Sequence, residues 1–289
     1  MQNKIDYILK NWLPAEGGAL YFPNPGNAGD ALIATATWQC FDRVGITPRV
    51  TRPENFPRHG TIILGGGGNL VPPYRFIADA LQACLDQQVR RCLLLPHTIR
   101  GNEALLNRLD ERFTLLCRDQ LSLEHVRRHA PRARSQLVDD MALALDMPVL
   151  RQRTQTLAHH LSLLVDRPWI KRRKKWKRAL SRQRPDGAGR LEILRSDVEA
   201  RTEHPESRDK DLMDFYLTRC EKRAGCDQVS MDLINLLGSV KSVRTDRLHV
   251  ALPATLLGLE VEILDNNYGK LSIVWKTSLE GRYPNARMA

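Results

Sequence analysis

Between Ser239 and Lys270 the chain reads as a strand, a charged turn, an apolar helix and a second strand, and no other stretch narrows the fold as much. The β-prone run Ser239–Val243 enters the polar turn Arg244-Thr-Asp-Arg247. An apolar helix follows from Leu248, and Gly258 reads as its stop. Val261–Leu264 is the next strand, ending in a polar loop that carries Lys270. Two strands joined by a crossover helix lie parallel, so this is a βαβ unit. Open α/β sheets bind ligands outside the carboxyl ends of their strands, which predicts Arg244, Arg247, His249 and Lys270 on one rim. Three permanent cations and an imidazole at a helix N-terminus suit a small, highly charged anion. The competing reading pairs the same cations with Asp246 and Asp265 as ordinary surface ion pairs.

The alternation continues through the first half. Residues 4–13 read as a short helix with Ile5, Ile8, Leu9 and Trp12 on one side, and Ala19–Phe22 as a strand. Pro23-Asn-Pro-Gly-Asn27-Ala-Gly29-Asp30 is too rich in Gly and Pro for regular structure, so it is a loop feeding a helix. A loop of this kind can offer backbone N–H groups to an anion, and Asp30 is either a helix cap or a group aimed at a ligand. Thr61–Leu64 predicts a buried strand ending in Gly65-Gly66-Gly67-Gly68-Asn69. Four glycines in a row are expected where backbone comes close to a ligand. Leu70 stands where the dinucleotide fingerprint needs a third small residue, which argues against a nicotinamide cofactor. A helix over 75–88, a strand Arg91–Leu95, a loop over 96–101, a helix near 102–109 and strands Phe113–Cys117 and Gln136–Val138 follow. Asn27, Asp30, Gly66, His97, Arg100, Arg118 and Asp139 all come after strands and are predicted to converge on one edge.

Strands and helices that alternate over 289 residues predict an α/β protein with two Rossmann-like domains. The expected division is residues 1–150, a basic segment over 151–189 closed by the flexible Pro185–Gly189, and a smaller domain over 190–289. In the last, Leu191–Leu194 reads as a strand, with helices over 209–221, 229–238 and Lys270–Leu279. The net charge of +11 calls for an anionic partner, and it is concentrated in 167–184. If that segment is helical, Trp169, Ile170, Trp176 and Leu180 form an apolar strip ringed by cations, the pattern of a helix on an anionic membrane. A solvated inter-domain helix and a nucleic-acid-binding stripe are the alternatives. The N-terminus is not a signal peptide and no long apolar run occurs, so the expectation is a cytoplasmic protein, peripheral at the inner face of the plasma membrane if the segment binds lipid. Six cysteines without a Cys-x-x-Cys pair read as reduced core thiols. The histidines lack zinc spacing and no carboxylate cluster suggests magnesium, so neither metal nor cofactor is expected.

Several short motifs recur in a telling order: Asn27-Ala-Gly29-Asp30, Ile63-Leu-Gly65-Gly66-Gly67-Gly68-Asn69, Cys117-Arg118-Asp119-Gln-Leu-Ser122, Leu194-Arg195-Ser-Asp197-Val-Glu199, Arg247-Leu-His249 and Tyr268-Gly-Lys270. In this order the chain resembles the polysaccharide pyruvyl transferases. The resemblance implies a GT-B-like fold, two domains facing across a cleft, with the acceptor on the N-terminal side. It also implies transfer of the enolpyruvyl carbons of phosphoenolpyruvate to a sugar of a capsule, exopolysaccharide or cell-wall precursor, often lipid-linked, to form a pyruvate ketal. Arg247 and His249 take the places of the phosphoenolpyruvate site and the catalytic His. Two features depart from the family: Pro253 inside the helix after His249, and the length of the basic segment.

Phosphoenolpyruvate carries a carboxylate and a phosphate, which favours forked Arg247 and Arg244 with Lys270 beside them. His249 is the one residue type on that rim that titrates near neutrality, hence the expected general acid. Asp30 is the candidate for accepting the hydroxyl proton or fixing the sugar. Asn27, Gly29, Gly66, Gly67, Gly68, Asn69, His97, Arg100 and Arg118 are the further candidate substrate contacts. Two rivals stand: a GT-B-type glycosyltransferase using a nucleotide sugar, and a nucleic-acid-binding protein. The Gly-rich loops speak for a small-molecule site and against a nucleic-acid partner.

Overall fold

The computed structural model describes residues 4–13, 18–72, 74–195, 211–212, 220–266 and 269–289. It divides into two compact units, Met1–Asn24 with Ala36–Leu145, and Pro25–Thr35 with Asp146–Ala289. Each unit has its own sheet, and every strand pairing among the described residues is parallel, which confirms the α/β class.

The first unit contains α1 (Lys4–Trp12), β1 (Leu20–Phe22), the later part of α2 (Ala28–Arg43), β2 (Arg49–Val50), β3 (Thr61–Leu64), β4 (Gly67–Leu70), α3 (Phe76–Asp86), β5 (Arg91–Ile99), α4 (Glu103–Leu106), β6 (Phe113–Cys117), α5 (Gln120–His129) and β7 (Arg134–Leu137). The strand order is β2-β1-β3-β5-β6-β7, with β4 added to β5. Strands of a parallel sheet covered on both faces read as continuous apolar runs, and Thr61–Leu64 and Leu93–Leu95 are buried at every position. On one face Ile62, Leu64 and Leu94 share a core with Ile77, Leu81, Leu115 and Val126. Because β1 lies between β2 and β3, the loops leaving β1 and β3 diverge at a topological switch point.

Two predicted loops are strand instead. Residues 96–99 of the loop expected over 96–101 are the end of β5, and Gly67–Leu70 forms β4 against it. Proline is normally kept out of central strands because it cannot donate to the ladder. Here Pro96 sits where the partner of β5 changes from β3 to β4 and the register with β6 shifts between Leu94 and His97, so no ladder bond is lost.

The second unit contains the first part of α2, then α6 (Met147–Thr154), α7 (Leu157–Val165), α8 (Arg167–Arg182), β8 (Arg190–Ile193), α9 (Arg223–Leu237), β9 (Ser242–Thr245), α10 (Leu248–Leu256), β10 (Glu260–Ile263), α11 (Lys270–Ser278) and β11 (Ala286–Met288), in the strand order β11-β10-β9-β8. The predicted βαβ unit is β9-α10-β10, and Gly258 follows α10 with a positive φ of 78°. The start of α2 is tied to this unit by a buried hydrogen bond between Thr35 Oγ1 and Ser230 Oγ at 3.0 Å. Ser196, Asp197, Glu199, Tyr268 and most of the helix expected over 209–221 lie outside the described residues.

The basic segment is helical, as α8, yet its tryptophans do not form the strip expected to lie on a membrane. Trp169 and Trp176 are buried, α8 packs on α9, and the Trp176 indole N–H donates to Asp232 Oδ2 at 3.0 Å. Burial pushes the Asp232 carboxyl pKa up, opposed by hydrogen bonds from Gln228 and Trp176. Trp176→Phe removes one of those donors and is expected to lower stability by about 2 kcal/mol, the scale of a lost hydrogen bond to a charged group. A thermal melt unchanged from wild type would place that indole outside the energetics of the unit.

Candidate functional site

The start of α2 and the start of α10 meet in the second unit. Asn27 caps α2 by accepting from the Gly29 N–H at 2.8 Å, and Asp30 reaches back to the Asn27 N–H at 3.0 Å. This reciprocal pair is a capping box, so Asp30 holds the loop rather than standing clear as the expected base. The loop thus sets Gly29 in place. A Cβ at position 29 would lie 2.6 Å from His249 Nδ1 and 3.0 Å from His249 Cβ, so only glycine lets the imidazole rest against this turn. His249 is half-buried on the first turn of α10. Two helix N-termini, with the partial positive charge of their macrodipoles, therefore converge on one imidazole, an arrangement fitted to an anion.

Arg247 is the N-cap residue of α10. Its N–H donates to Thr245 Oγ1 at 3.0 Å, and Thr245 Oγ1 donates to the Ile193 carbonyl at 2.6 Å, tying the turn to β8. The guanidinium is buried and forks onto Asp211: Nε donates to Oδ1 at 3.0 Å and Nη2 to Oδ2. The carboxylates expected to pair with the cations do other work. Asp246 accepts the Arg195 N–H at 2.8 Å, and Asp265 accepts from the backbone of Asn266, Leu271 and Ser272 at the start of α11. Burial raises the Asp246 pKa, and the Arg195 backbone bond opposes that rise.

Arg244 does not join the rim. The strand runs to Thr245, one turn of the pleat further than predicted, so Arg244 lies within β9 and pairs in register with Glu192 and Glu262. Its guanidinium donates to Glu192 at 2.7 Å and to Glu262 at 2.9 Å. The Glu192 bond, against burial and aided by the Glu262 bond, pushes its pKa up and keeps it charged. Two carboxylates already neutralise this side chain. Lys270 opens α11 as expected, while its side chain lies outside what the structure describes. Pro253 is accommodated within a continuous α10 and is buried.

The candidates of the first unit form a separate polar group. His97 lies within β5, fully buried, with Nε2 3.0 Å from Asn69 Oδ1 and 3.2 Å from the Asn69 N–H. Asn69 Nδ2 donates to Asn24 Oδ1 at 2.7 Å, which links the ends of β1, β4 and β5 at the switch point. A Cβ on Gly65 would lie 2.5 Å from the Asn24 backbone nitrogen, so this glycine serves backbone-to-backbone packing. Gly66 and Gly67 are buried, and Gly68 and Asn69 are half-buried. Arg118 is buried, donating to Asp140 at 2.7 Å and to Thr98 at 2.8 Å. Arg100 donates to Asp119 at 2.9 Å and to Ser122 at 2.6 Å, and Asp119 caps α5 through the Ser122 N–H. Arg100 thus fastens the end of β5 to the start of α5, and Arg118 ties β5 to the loop after β7.

Asp211 and Asn24 were not legible as site residues, since neither sits in a patterned motif. Among the described residues, the histidines contribute to one metal-compatible set. Glu103, His125 and His129 can bring ligand atoms within 4.8 Å of one another, and the i, i+4 spacing of the two histidines was the available signal. His125 Nε2 is engaged with the Gly101 carbonyl at 2.8 Å.

Gly29→Ala is expected to displace the imidazole while leaving the fold intact. A displacement of about 1 Å at a reacting group costs up to roughly a hundredfold in turnover, and at least about tenfold is expected here. Wild-type turnover by a folded Gly29→Ala protein would remove the ring contact from the working geometry.

Two comparisons with known proteins point to one group. The family model described as polysaccharide pyruvyl transferase matches residues 27–268. A Bacillus subtilis (strain 168) protein named "Putative pyruvyl transferase EpsO" is 25% identical over an alignment spanning 100% of this chain and 93% of that protein. The crystal structure of a functionally uncharacterised protein from Klebsiella pneumoniae subsp. pneumoniae NTUH-K2044 superposes with a TM-score of 0.75 at 26% identity, covering 99% of this chain and 97% of that one. A UDP-GlcNAc 2-epimerase from Neisseria meningitidis covers 88% of this chain and 84% of its own at a TM-score of 0.39 and 8% identity, too loosely to bear on fold or chemistry.

Proposed function

The chain belongs to the polysaccharide pyruvyl transferase family, and on that premise we propose that it moves the enolpyruvyl carbons of phosphoenolpyruvate onto two hydroxyls of one sugar in a polysaccharide precursor, releasing phosphate. The observation that carries this reading is the contact of His249 with Gly29, which joins the N-terminal loop motif and the Arg-x-His motif into one site within one unit.

In this reaction C3 of phosphoenolpyruvate takes a proton and becomes a methyl group. One sugar hydroxyl adds to C2, the bond from C2 to the phosphate oxygen breaks, and a second hydroxyl closes the ketal ring. The two hydroxyl protons balance the one delivered to C3 and the one taken by the departing phosphate. His249 supplies the C3 proton as general acid. The N-termini of α2 and α10, with Arg247, supply the positive field for phosphate and carboxylate. Asn27 and Asp30 hold the loop that positions the imidazole, which makes them positioning residues. The acceptor in this reading is a sugar of a capsule, exopolysaccharide or cell-wall unit on its lipid carrier.

The deciding assay incubates the protein with phosphoenolpyruvate and a panel of soluble sugar acceptors. Phosphate release that requires an acceptor, with a gain of one pyruvate ketal in its mass, supports the proposal. Turnover of a nucleotide sugar with no loss of phosphoenolpyruvate would replace it with glycosyl transfer.

A further inference from the structure

Of the ten large apolar side chains exposed among the described residues, five lie between Leu157 and Ile170. Leu157, Leu161, Leu164 and Val165 are 72%, 55%, 65% and 75% exposed, and their spacing along α7 puts them on one face. The opposite side of α7 is anchored: His159 is buried, with Nε2 3.2 Å from Gln228 Oε1. Single exposed leucines need no explanation, but a ridge of four on a nine-residue helix does.

The next helix supplies the second observation. With Trp169, Trp176 and Ala179 turned inward, α8 leaves Arg167, Lys171–Lys175, Lys177, Arg178 and Arg182 exposed. The one acidic residue between Leu157 and Arg182 is Asp166, and it is buried. Asp166 also fixes the corner between the helices, accepting from the Trp169 N–H and the Gly225 N–H, both at 3.1 Å. Val165 and Ile170 flank this corner, so the apolar ridge runs directly into the basic surface.

We propose that α7 and the basic face of α8 form a docking surface for an anionic phospholipid bilayer, with the α7 ridge entering the boundary between headgroups and acyl chains. An anionic bilayer uses both features at once: apolar area for the ridge and negative charge for the cations. A second copy of this chain would bring like-charged α8 surfaces together, and nucleic acid leaves the leucines without a partner. The surface is independent of the pyruvyl transfer reading, so each can fail alone.

The test is sedimentation of the purified protein with phosphatidylcholine vesicles, with and without phosphatidylglycerol. Wild type is expected to pellet with the anionic vesicles alone and to be released by salt. Leu161→Glu with Leu164→Glu is expected to lower partitioning at least about thirtyfold, since two exposed leucines lose their apolar contact and gain repulsion. Lys174→Glu with Lys175→Glu is expected to lower it at least about tenfold, and Trp176→Phe to leave it unchanged. As a reading that does not depend on the fate of the glutamate variant, Leu161→Trp is expected to shift its emission to the blue on adding phosphatidylglycerol vesicles. Absence of wild-type binding at low salt, unaltered binding by the leucine pair, or no emission shift would overturn the proposal. A wild-type dimer that the leucine pair disperses would give the ridge to a second copy and overturn it equally.

Discussion

His249→Ala is expected to give a folded protein that still binds phosphoenolpyruvate and turns over at least about a hundredfold more slowly, the scale of a lost general acid. The fold should survive because His249 is half-buried at a helix start and the turn around it is held by other groups. Asn27 and Asp30 cap α2 reciprocally, and Thr245 ties the backbone of Arg247 to β8. Truncation of the ring leaves those bonds in place. Binding should survive because, in the proposed reading, helix N-termini and Arg247 hold the anion and the acid does not. His249→Gln keeps the bulk and hydrogen-bonding shape of the ring but cannot deliver a proton under these conditions. It should fail to rescue turnover while matching wild type in thermal melting. Near-normal turnover by either variant takes His249 out of the chemistry.

How far the sequence could be read depended on side-chain pattern. Thr61–Leu64, Phe113–Cys117 and the helix starting at Lys4 were legible because apolar runs of strand or helix period end at Gly, Pro or charge. The strand Gly67–Leu70 was not, because glycines carry no period to read. Pro96 hid the continuation of β5 for a reason that is normally sound and here is defeated by a change of strand partner. Arg244 shows how small an error relocates a side chain. Ending the strand at Val243 placed it on the ligand rim, whereas a strand to Thr245 puts it between Glu192 and Glu262. The tryptophans of α8 make a related point. Trp169 and Trp176 at i, i+7 announce an apolar stripe, but the period is the same whether the stripe meets lipid or protein. The leucines of α7, one helix earlier, are the residues left outside. The Asn27–Asp30 loop and the Arg-x-His motif were each legible, and their contact through Gly29 was not, because more than two hundred residues separate them.

Arg247→Lys is expected to lower stability by about 3 kcal/mol and to weaken phosphoenolpyruvate binding at least about tenfold. Both effects come from the fork. Arg247 and Asp211 are 6% and 1% exposed at their side chains, and the guanidinium meets both carboxylate oxygens. A lysine ammonium cannot span the two oxygens, so a buried carboxylate is left poorly compensated. Loss of stability alone would not distinguish an anion-binding arginine from a purely structural one. Asp211→Asn makes the distinction. It too breaks a buried ion pair and should destabilise the protein on the same scale, about 3–5 kcal/mol. If Arg247 serves the substrate, however, Asp211 competes with the substrate for the same guanidinium, and removing its charge should tighten phosphoenolpyruvate binding. The two variants are therefore expected to fall together in thermal melting and to separate in opposite directions in titration calorimetry. Added phosphoenolpyruvate should raise the melting temperature of Asp211→Asn more than that of wild type, since ligand binding to the native state stabilises it in proportion to its affinity. Unchanged affinity in both variants would make the pair a buried brace for the α10 start, and the anion would then rest on the helix N-termini around Gly29 and His249.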